Sequence, residues 1–277
     1  MKVRAPAKVN LQLRILGRRA DGFHDIETVL VPVSISDEIT IEIFPGETIT
    51  LTCDDPALPA DRSNLAAAAA YEFQKETGLR FAATIHLRKR IPIAGGLGGG
   101  SSDAAAVLSA LDQLLGTKLG IESLQRIAAR IGSDVPFFVR PQPALCRGRG
   151  EIIEPLEVLG NLKILLMKPP FGVETAWAYK AWADARPAPG RLETEQDLGW
   201  IKIFNALERP VFEKFIVLPV MKDWLLRQPE VRAAGMSGSG STFFALLRDA
   251  ASGGFLEQRV KAMFGETLWT ALCEASA

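Results

Sequence analysis

The chain has 277 residues, 48% of them apolar and 23% charged, enough to bury one large core or two modest ones. Lys+Arg and Asp+Glu balance at 32 each, so no global field draws the protein onto nucleic acid or an anionic membrane, and any anion must be held by a local site. Cys53, Cys146 and Cys273 are widely spaced, with no metal-ligand pattern around them, Lys2, Arg4 and Lys8 interrupt the N-terminal apolar residues, and no apolar run reaches bilayer length. A cytoplasmic chain with no membrane or nucleic-acid partner is expected.

From Val9 to Ile15 the apolar residues Val9, Leu11, Leu13 and Ile15 alternate with Asn10, Gln12 and Arg14, the period of a half-buried strand, with Lys8, Asn10 and Gln12 on its polar face. Further alternation at Val29–Ile35, Ile39–Ile43 and Ile49–Leu51 makes the first third of the chain mainly β. A helix is expected from about Asn64 to Thr77, with Ser63-Asn64 as cap and Gly78 as a left-handed stop. A strand around Thr84 to Leu87 then leads through a glycine loop into a helix whose apolar residues, Ala104 to Leu115, repeat at helical spacing. A second helix runs from Ile121 to Gly132, and a strand from Leu162 to Met167. A Trp/Tyr-containing helix follows, and Arg186 to Gly190 reads as a loop. Helices are expected to predominate from there to the small-residue loop Gly235–Ser241, which runs into an apolar strand, Thr242 to Leu247. A soft boundary falls near Leu156, where β-rich sequence gives way to a more helical half, dividing the chain into residues 1–156 and 157–277.

The loop Pro92-Ile93-Ala94-Gly95-Gly96-Leu97-Gly98-Gly99-Gly100-Ser101-Ser102 carries the strongest local signal. So many glycines cost backbone entropy and make no side-chain contacts, whereas their N–H groups can converge on a phosphate at a helix start. Ser101 and Ser102 add hydroxyl donors, and Asp103 either caps the helix or helps hold a magnesium ion. No Lys follows Gly100, which excludes a P-loop, and the dinucleotide G-x-G-x-x-G spacing is not met.

Taken alone, Lys8 reads as a solvated surface lysine and Asp134, two residues before Pro136, as a helix cap. His86 falls on the polar face of a strand. His24 sits beside Phe23 in a turn, either as a plain loop histidine or as half of a surface that reads a flat ligand. The loop Gly235–Ser241, with Gly238, Ser239 and Gly240 at its centre, is a linker or a second backbone platform for phosphate.

Three segments, Pro6–Leu11, Pro92–Asp103 and Gly235–Thr242, resemble in order and spacing the three signature motifs of the galactokinase, homoserine kinase, mevalonate kinase and phosphomevalonate kinase (GHMP) superfamily. Within it, Arg19–His24, Gly-Leu-Gly-Gly-Gly-Ser-Ser-Asp and Gly132–Pro136 resemble the 4-diphosphocytidyl-2-C-methyl-D-erythritol kinases. The resemblance implies an α+β, two-domain GHMP kinase fold with an ATP-binding half, a substrate-binding half and the active site in the cleft between them. It also implies phosphorylation of the substrate's 2-hydroxyl by ATP with Mg2+, in the non-mevalonate route to isoprenoid precursors.

By motif, Asp134 matches the family's catalytic aspartate and Lys8 its accompanying lysine. The loop from Pro92 to Ser102 would hold ATP phosphates, with Asn64 beside the adenosine. Phe23 and His24, with Tyr179 as a second face, would bind cytosine, and Asn10 and Thr175 would face the cytidine diphosphate-linked methylerythritol. Two departures are visible: Phe23 stands where many members have Tyr, and Ala94 where glycine is frequent. A sibling kinase would share the ATP loop but not Phe23-His24; a sensor that had lost catalysis would not need both Lys8 and Asp134. Short basic runs such as Arg88-Lys89-Arg90 are simplest as a solvated strand end.

Overall fold

The computed structural model describes residues 1–157, 160–184, 195–249 and 251–275; the expected loop Arg186–Gly190 lies outside them. The chain forms two compact units: residues 1–7, 35–91 and 98–141 make one, residues 8–34, 92–97 and 142–277 the other. Neither is one continuous stretch of chain.

In the first unit, residues 38–44 at the end of strand β2 (His24–Phe44) pair antiparallel with β4 (Ala82–Arg88), from Glu38 opposite Arg88 to Phe44 opposite Ala82. Strand β3 (Ile49–Cys53) pairs parallel with β4, so the chain between them must cross over, and it does so as helix α1 (Leu65–Thr77). The period-two pattern is obeyed: Ile39, Ile41, Ile85 and Leu87 are buried, while His86 between the last two faces solvent. Helices α2 (Gly99–Leu115) and α3 (Ile121–Ile131) pack with α1, and α4 (Val135–Val139) packs on α2 and α3, burying Phe73, Leu108, Leu111, Ile127 and Phe137. Two expected strands, at 29–35 and 39–43, are one long strand: burial keeps alternating through Ser36, Asp37 and Glu38, with Asp37 buried.

In the second unit, Gln12 and Leu13 of β1 (Lys2–Arg18) pair parallel with β9 (Lys202–Asn205), which pairs with the short β8 (Gln196–Asp197). Residues 26–30 of β2 pair with β5 (Ala144–Gly148), and β5 pairs with β6 (Ile152–Pro155). A separate antiparallel sheet runs in the order β10 (Val231–Met236), β11 (Phe243–Leu247), β7 (Leu162–Lys168), β12 (Trp269–Ala275). Helices α5 (Thr175–Asp184), α6 (Glu208–Lys214), α7 (Val217–Leu226) and α8 (Gly253–Phe264) complete the unit, around a core that includes Leu165, Met167, Phe212, Leu225 and Phe243.

The expected helix-rich stretch before Gly235 holds α6 and α7, but strands β8 and β9 precede them and β10 follows; Gly235 lies inside β10, so the second small-residue loop begins only at Ser237. Residues 231–236 lack alternation because the strand is buried almost throughout.

Candidate functional site

Parts of the three motif segments, Lys8–Leu11, Pro92–Leu97 and Gly235–Thr242, meet within the second unit. Lys8 is 3% exposed, so its reading as a solvated lysine is overturned: the strand face it occupies is covered by the two glycine loops. Its Nζ donates to the Gly96 carbonyl at 2.8 Å and to Asn10 Oδ1. Asn10 in turn donates from Nδ2 to Thr28 Oγ1 at 2.9 Å, and its backbone N–H donates to Ser237 Oγ at 3.2 Å. Ser237 Oγ donates to the same Gly96 carbonyl at 3.0 Å.

Backbone bonds fix the first loop further. The Lys8 N–H donates to Leu97 O at 3.0 Å, and the Thr242 N–H to Gly95 O at 3.3 Å. Gly96, at φ +75°, passes so close to the second loop that a Cβ there would stand 2.1 Å from the Ser237 carbonyl oxygen. Ala94 adopts a left-handed φ of +52°, which explains in backbone terms why glycine suits that position.

The second loop is held by a residue that sequence reasoning missed. Asn205 donates to Met236 O at 2.7 Å and Gly238 O at 2.8 Å, while its Oδ1 accepts from the Leu207 N–H. Its only sequence signal was an amide ending a short apolar strand. Thr175, at the start of α5, shares a 2.9 Å hydrogen bond with Ser239. One turn on, the Tyr179 ring stacks on His24 at 5.4 Å between centroids, and Trp182 meets the same imidazole edge-on at 5.8 Å. Trp182 was also missed, although Thr175, Tyr179 and Trp182 recur at helical spacing. His24 Nε2 is buried without a hydrogen-bond partner, and burial, with Arg18 adding to it, pushes the imidazole below its ordinary pKa. Phe23 is 49% exposed, and the Arg149 guanidinium lies over its ring at 4.6 Å.

The remaining expected site residues belong to the first unit. Asn64 is the N-cap of α1: Oδ1 accepts from the Ala66 N–H at 3.0 Å, while Nδ2 donates to Pro59 O. Helix α2 begins at Gly99 with Gly98 as its N-cap and no side-chain capping bond, so its first-turn N–H groups are not answered by a cap. A Cβ on Gly100 would stand 3.6 Å from Leu65, which sets the start of α1 beside the start of α2. Ser102 is buried with its hydroxyl unpartnered.

Asp103 neither caps α2 nor points into solvent. It is buried against Lys89, whose ammonium also binds Asp37, and Asp37 accepts from the Arg90 and Ile91 N–H groups at 2.6 and 2.8 Å. Lys89, expected at a solvated strand end, is therefore a buried tie between the entry to the glycine loop and Asp103 of α2. Asp134 takes the N-cap position of α4, half-buried, but its side chain makes no capping hydrogen bond. Its plain reading as a cap thus loses the bond that would have justified it.

The GHMP kinase family models match the chain twice, as "GHMP kinases N terminal domain" over residues 64–141 and "GHMP kinases C terminal" over residues 192–266. The class is thus that of the GHMP kinases, enzymes that use ATP. A 4-diphosphocytidyl-2-C-methyl-D-erythritol kinase of Methylacidiphilum infernorum is 42% identical, over 98% of this chain and 95% of that one. Its namesake from Protochlamydia amoebophila is 42% identical over 87% and 83%. A crystal structure of 4-(cytidine 5'-diphospho)-2C-methyl-D-erythritol kinase superposes with a TM-score of 0.79 at 32% identity, covering 100% of both chains. A homoserine kinase from Cytophaga hutchinsonii, 19% identical, shares the fold at a TM-score of 0.70. This chain belongs to the 4-diphosphocytidyl-2-C-methyl-D-erythritol kinase family.

Proposed function

We propose that this kinase transfers the γ-phosphate of ATP to the 2-hydroxyl of 4-diphosphocytidyl-2-C-methyl-D-erythritol. The observation that carries the reading is the burial of Lys8 against Gly96, Asn10 and Ser237, which draws three segments distant in sequence around one ammonium. A buried cation beside glycine backbone suits a site that handles phosphate.

In this reading the alcohol oxygen attacks the γ-phosphorus, the bond from phosphorus to the ADP oxygen breaks, and the alcohol proton passes to Asp134. Lys8 orients the hydroxyl and offsets charge developing on the transferring phosphoryl group. The backbone from Pro92 to Ser102 cradles the ATP phosphates, Asn64 lies beside the adenosine, and Gly238, Ser239 and Gly240 form a second backbone platform. The cytosine stacks against Phe23 and Tyr179, and His24 Nε2, buried without a partner, is a group that a base edge can answer. Asn10 and Thr175 face the remainder of the substrate. In the division of labour, residues 1–156 carry ATP and residues 157–277 complete the second substrate's site.

Magnesium would enter on the ATP phosphates, neutralise charge there and keep several waters. Among the described residues no three His, Cys, Asp or Glu side chains gather as a metal site, which fits an ion held chiefly by phosphate oxygens. No helix among the described residues is long and apolar enough to cross a membrane. The balanced charge supports a cytoplasmic enzyme acting on a small molecule and not on nucleic acid.

A substrate panel tests the assignment. The cytidine diphosphate compound should be phosphorylated with kcat/KM at least about a hundredfold above mevalonate, homoserine or galactose, the margin a site built for a polar base supplies. Equal turnover of mevalonate would refute it.

A further inference from the structure

Besides Lys8, two buried lysines of the second unit have their charge answered differently. Lys222 pairs with the carboxylate of Glu208. Lys168, the last residue of β7, is 9% exposed and pairs with no carboxylate among the described residues; its ammonium donates only to the Pro169 and Phe171 carbonyls, at 3.0 and 3.2 Å. A buried charge answered by neutral dipoles alone is a cost that a purely structural lysine has no reason to carry. Burial pushes the Lys168 pKa below the ordinary lysine value.

The position of this ammonium is specific. The Cδ and Cε of Lys168 lie 3.2 and 3.4 Å from where a Cβ on Gly95 would be, and Thr242 Oγ1 lies 2.7 Å from the same point. Thr242 is fully buried and its hydroxyl has no partner, while its N–H donates to the Gly95 carbonyl. The Phe171 carbonyl that receives Lys168 also receives Ser241 Oγ. The floor beneath the first glycine of the loop is therefore a lysine stem carrying unbalanced positive charge and an unanswered hydroxyl, both braced to the second loop. Only glycine at position 95 lets the backbone lie on that floor.

We propose that Lys168 is a positioning residue for the ATP triphosphate: it supports Gly95 from beneath and supplies the positive charge that a polyanion on the loop balances. This rests on the assignment of the loop to ATP. An anion seated above Gly95 would turn the unpaired ammonium from a liability into an attraction, because charges interact strongly where water is excluded.

Lys168→Met keeps the stem under Gly95 and removes only the charge, so the full-length variant separates support from electrostatics. Four quantities are compared with wild type: thermal midpoint without ligand, calorimetric affinity for ATP and for adenosine, KM for each substrate, and kcat. The expected result is an unliganded midpoint at or above wild type, because a desolvated charge has been removed. ATP affinity should fall at least tenfold, with adenosine affinity and the KM of the cytidine diphosphate compound within twofold and kcat within threefold.

Unchanged ATP affinity would overturn the proposal. So would a variant that fails to fold or melts well below wild type, which would make the lysine structural, or an equal loss for ATP and adenosine, which would signal a collapsed loop. A loss confined to the cytidine diphosphate compound would move the charge to the other substrate and overturn the assignment to ATP. Wild-type protein that binds no ATP would remove the kinase reading itself, and that measurement is made first.

Discussion

At position 96, glycine is required twice over. A left-handed φ of +75° costs an L-residue about 1–2 kcal/mol, and a methyl group there would meet the Ser237 carbonyl at 2.1 Å. Gly96→Ala should therefore destabilise by about 2–4 kcal/mol in urea denaturation, since the overlap adds to the dihedral strain, and raise the KM for ATP at least tenfold. Ala94→Gly is the contrasting case. Relief of the left-handed φ of +52° is offset by the greater freedom glycine has when unfolded, so its stability in urea should change by less than about 1 kcal/mol.

His24 makes a prediction in pH. Its folded pKa lies below the ordinary value of about 6.5, so the ring stays neutral through the physiological range. Between that ordinary value and the lower folded one, the unfolded chain takes up a proton that the folded chain refuses, so stability falls as pH drops through this window. The KM for the cytidine substrate should be flat above the ordinary imidazole pKa and rise only at more acidic pH, with the acid limb absent in His24→Asn. An unchanged limb in that variant would remove His24 from the site.

At the scale of elements, the N-terminal part of α2 depends on one ammonium serving two carboxylates. Asp103 is pushed up to about 7, burial being the main cause, with Lys89 opposing and Asp37 adding to it. Because that value lies above the unfolded one of about 3.9, ionising Asp103 in the folded protein costs stability as pH rises from about 4 through 7. Asp103→Asn keeps an acceptor for Lys89 and loses the charge. Its thermal midpoint should match or exceed wild type at pH 8, and the gain should shrink towards pH 5. Lys89→Met removes the ammonium from Asp103 and leaves Asp37 only the Arg90 and Ile91 N–H groups, and should cost about 3–5 kcal/mol. A destabilised Asn variant at pH 8 would mean that the second charge on the cluster is structurally required.

The same elements separate what could be read in the sequence from what could not. The Asn64 cap, the Gly78 stop and the unbroken period of β4 are local signals, and each lies where the sequence puts it. Lys89 joins Asp37 and Asp103, residues 52 and 14 positions away, and nothing in Arg88-Lys89-Arg90 distinguishes a buried lysine from two solvated arginines. Lys8 was misread as solvated for the same reason: what covers it comes from residues 96 and 238.

For the whole molecule, class and family were legible because three short motifs survive in order, and motif residues are those whose backbone or charge the chemistry cannot replace. The strand β10 escaped because a fully buried strand carries no alternation, and Asn205 because one amide at a strand end has no pattern. His24 and Tyr179 were marked by resemblance, whereas Trp182, on the same imidazole, was not.

The central claim is that this chain phosphorylates 4-diphosphocytidyl-2-C-methyl-D-erythritol with Asp134 as the base, and ADP release by purified protein with that compound, ATP and magnesium addresses it most directly. Wild type should turn over steadily. Asp134→Asn should keep its ATP affinity while turnover falls at least about a hundredfold. An Asp134→Asn variant that turns over like wild type, or a wild type that binds ATP and leaves this alcohol untouched, would contradict it.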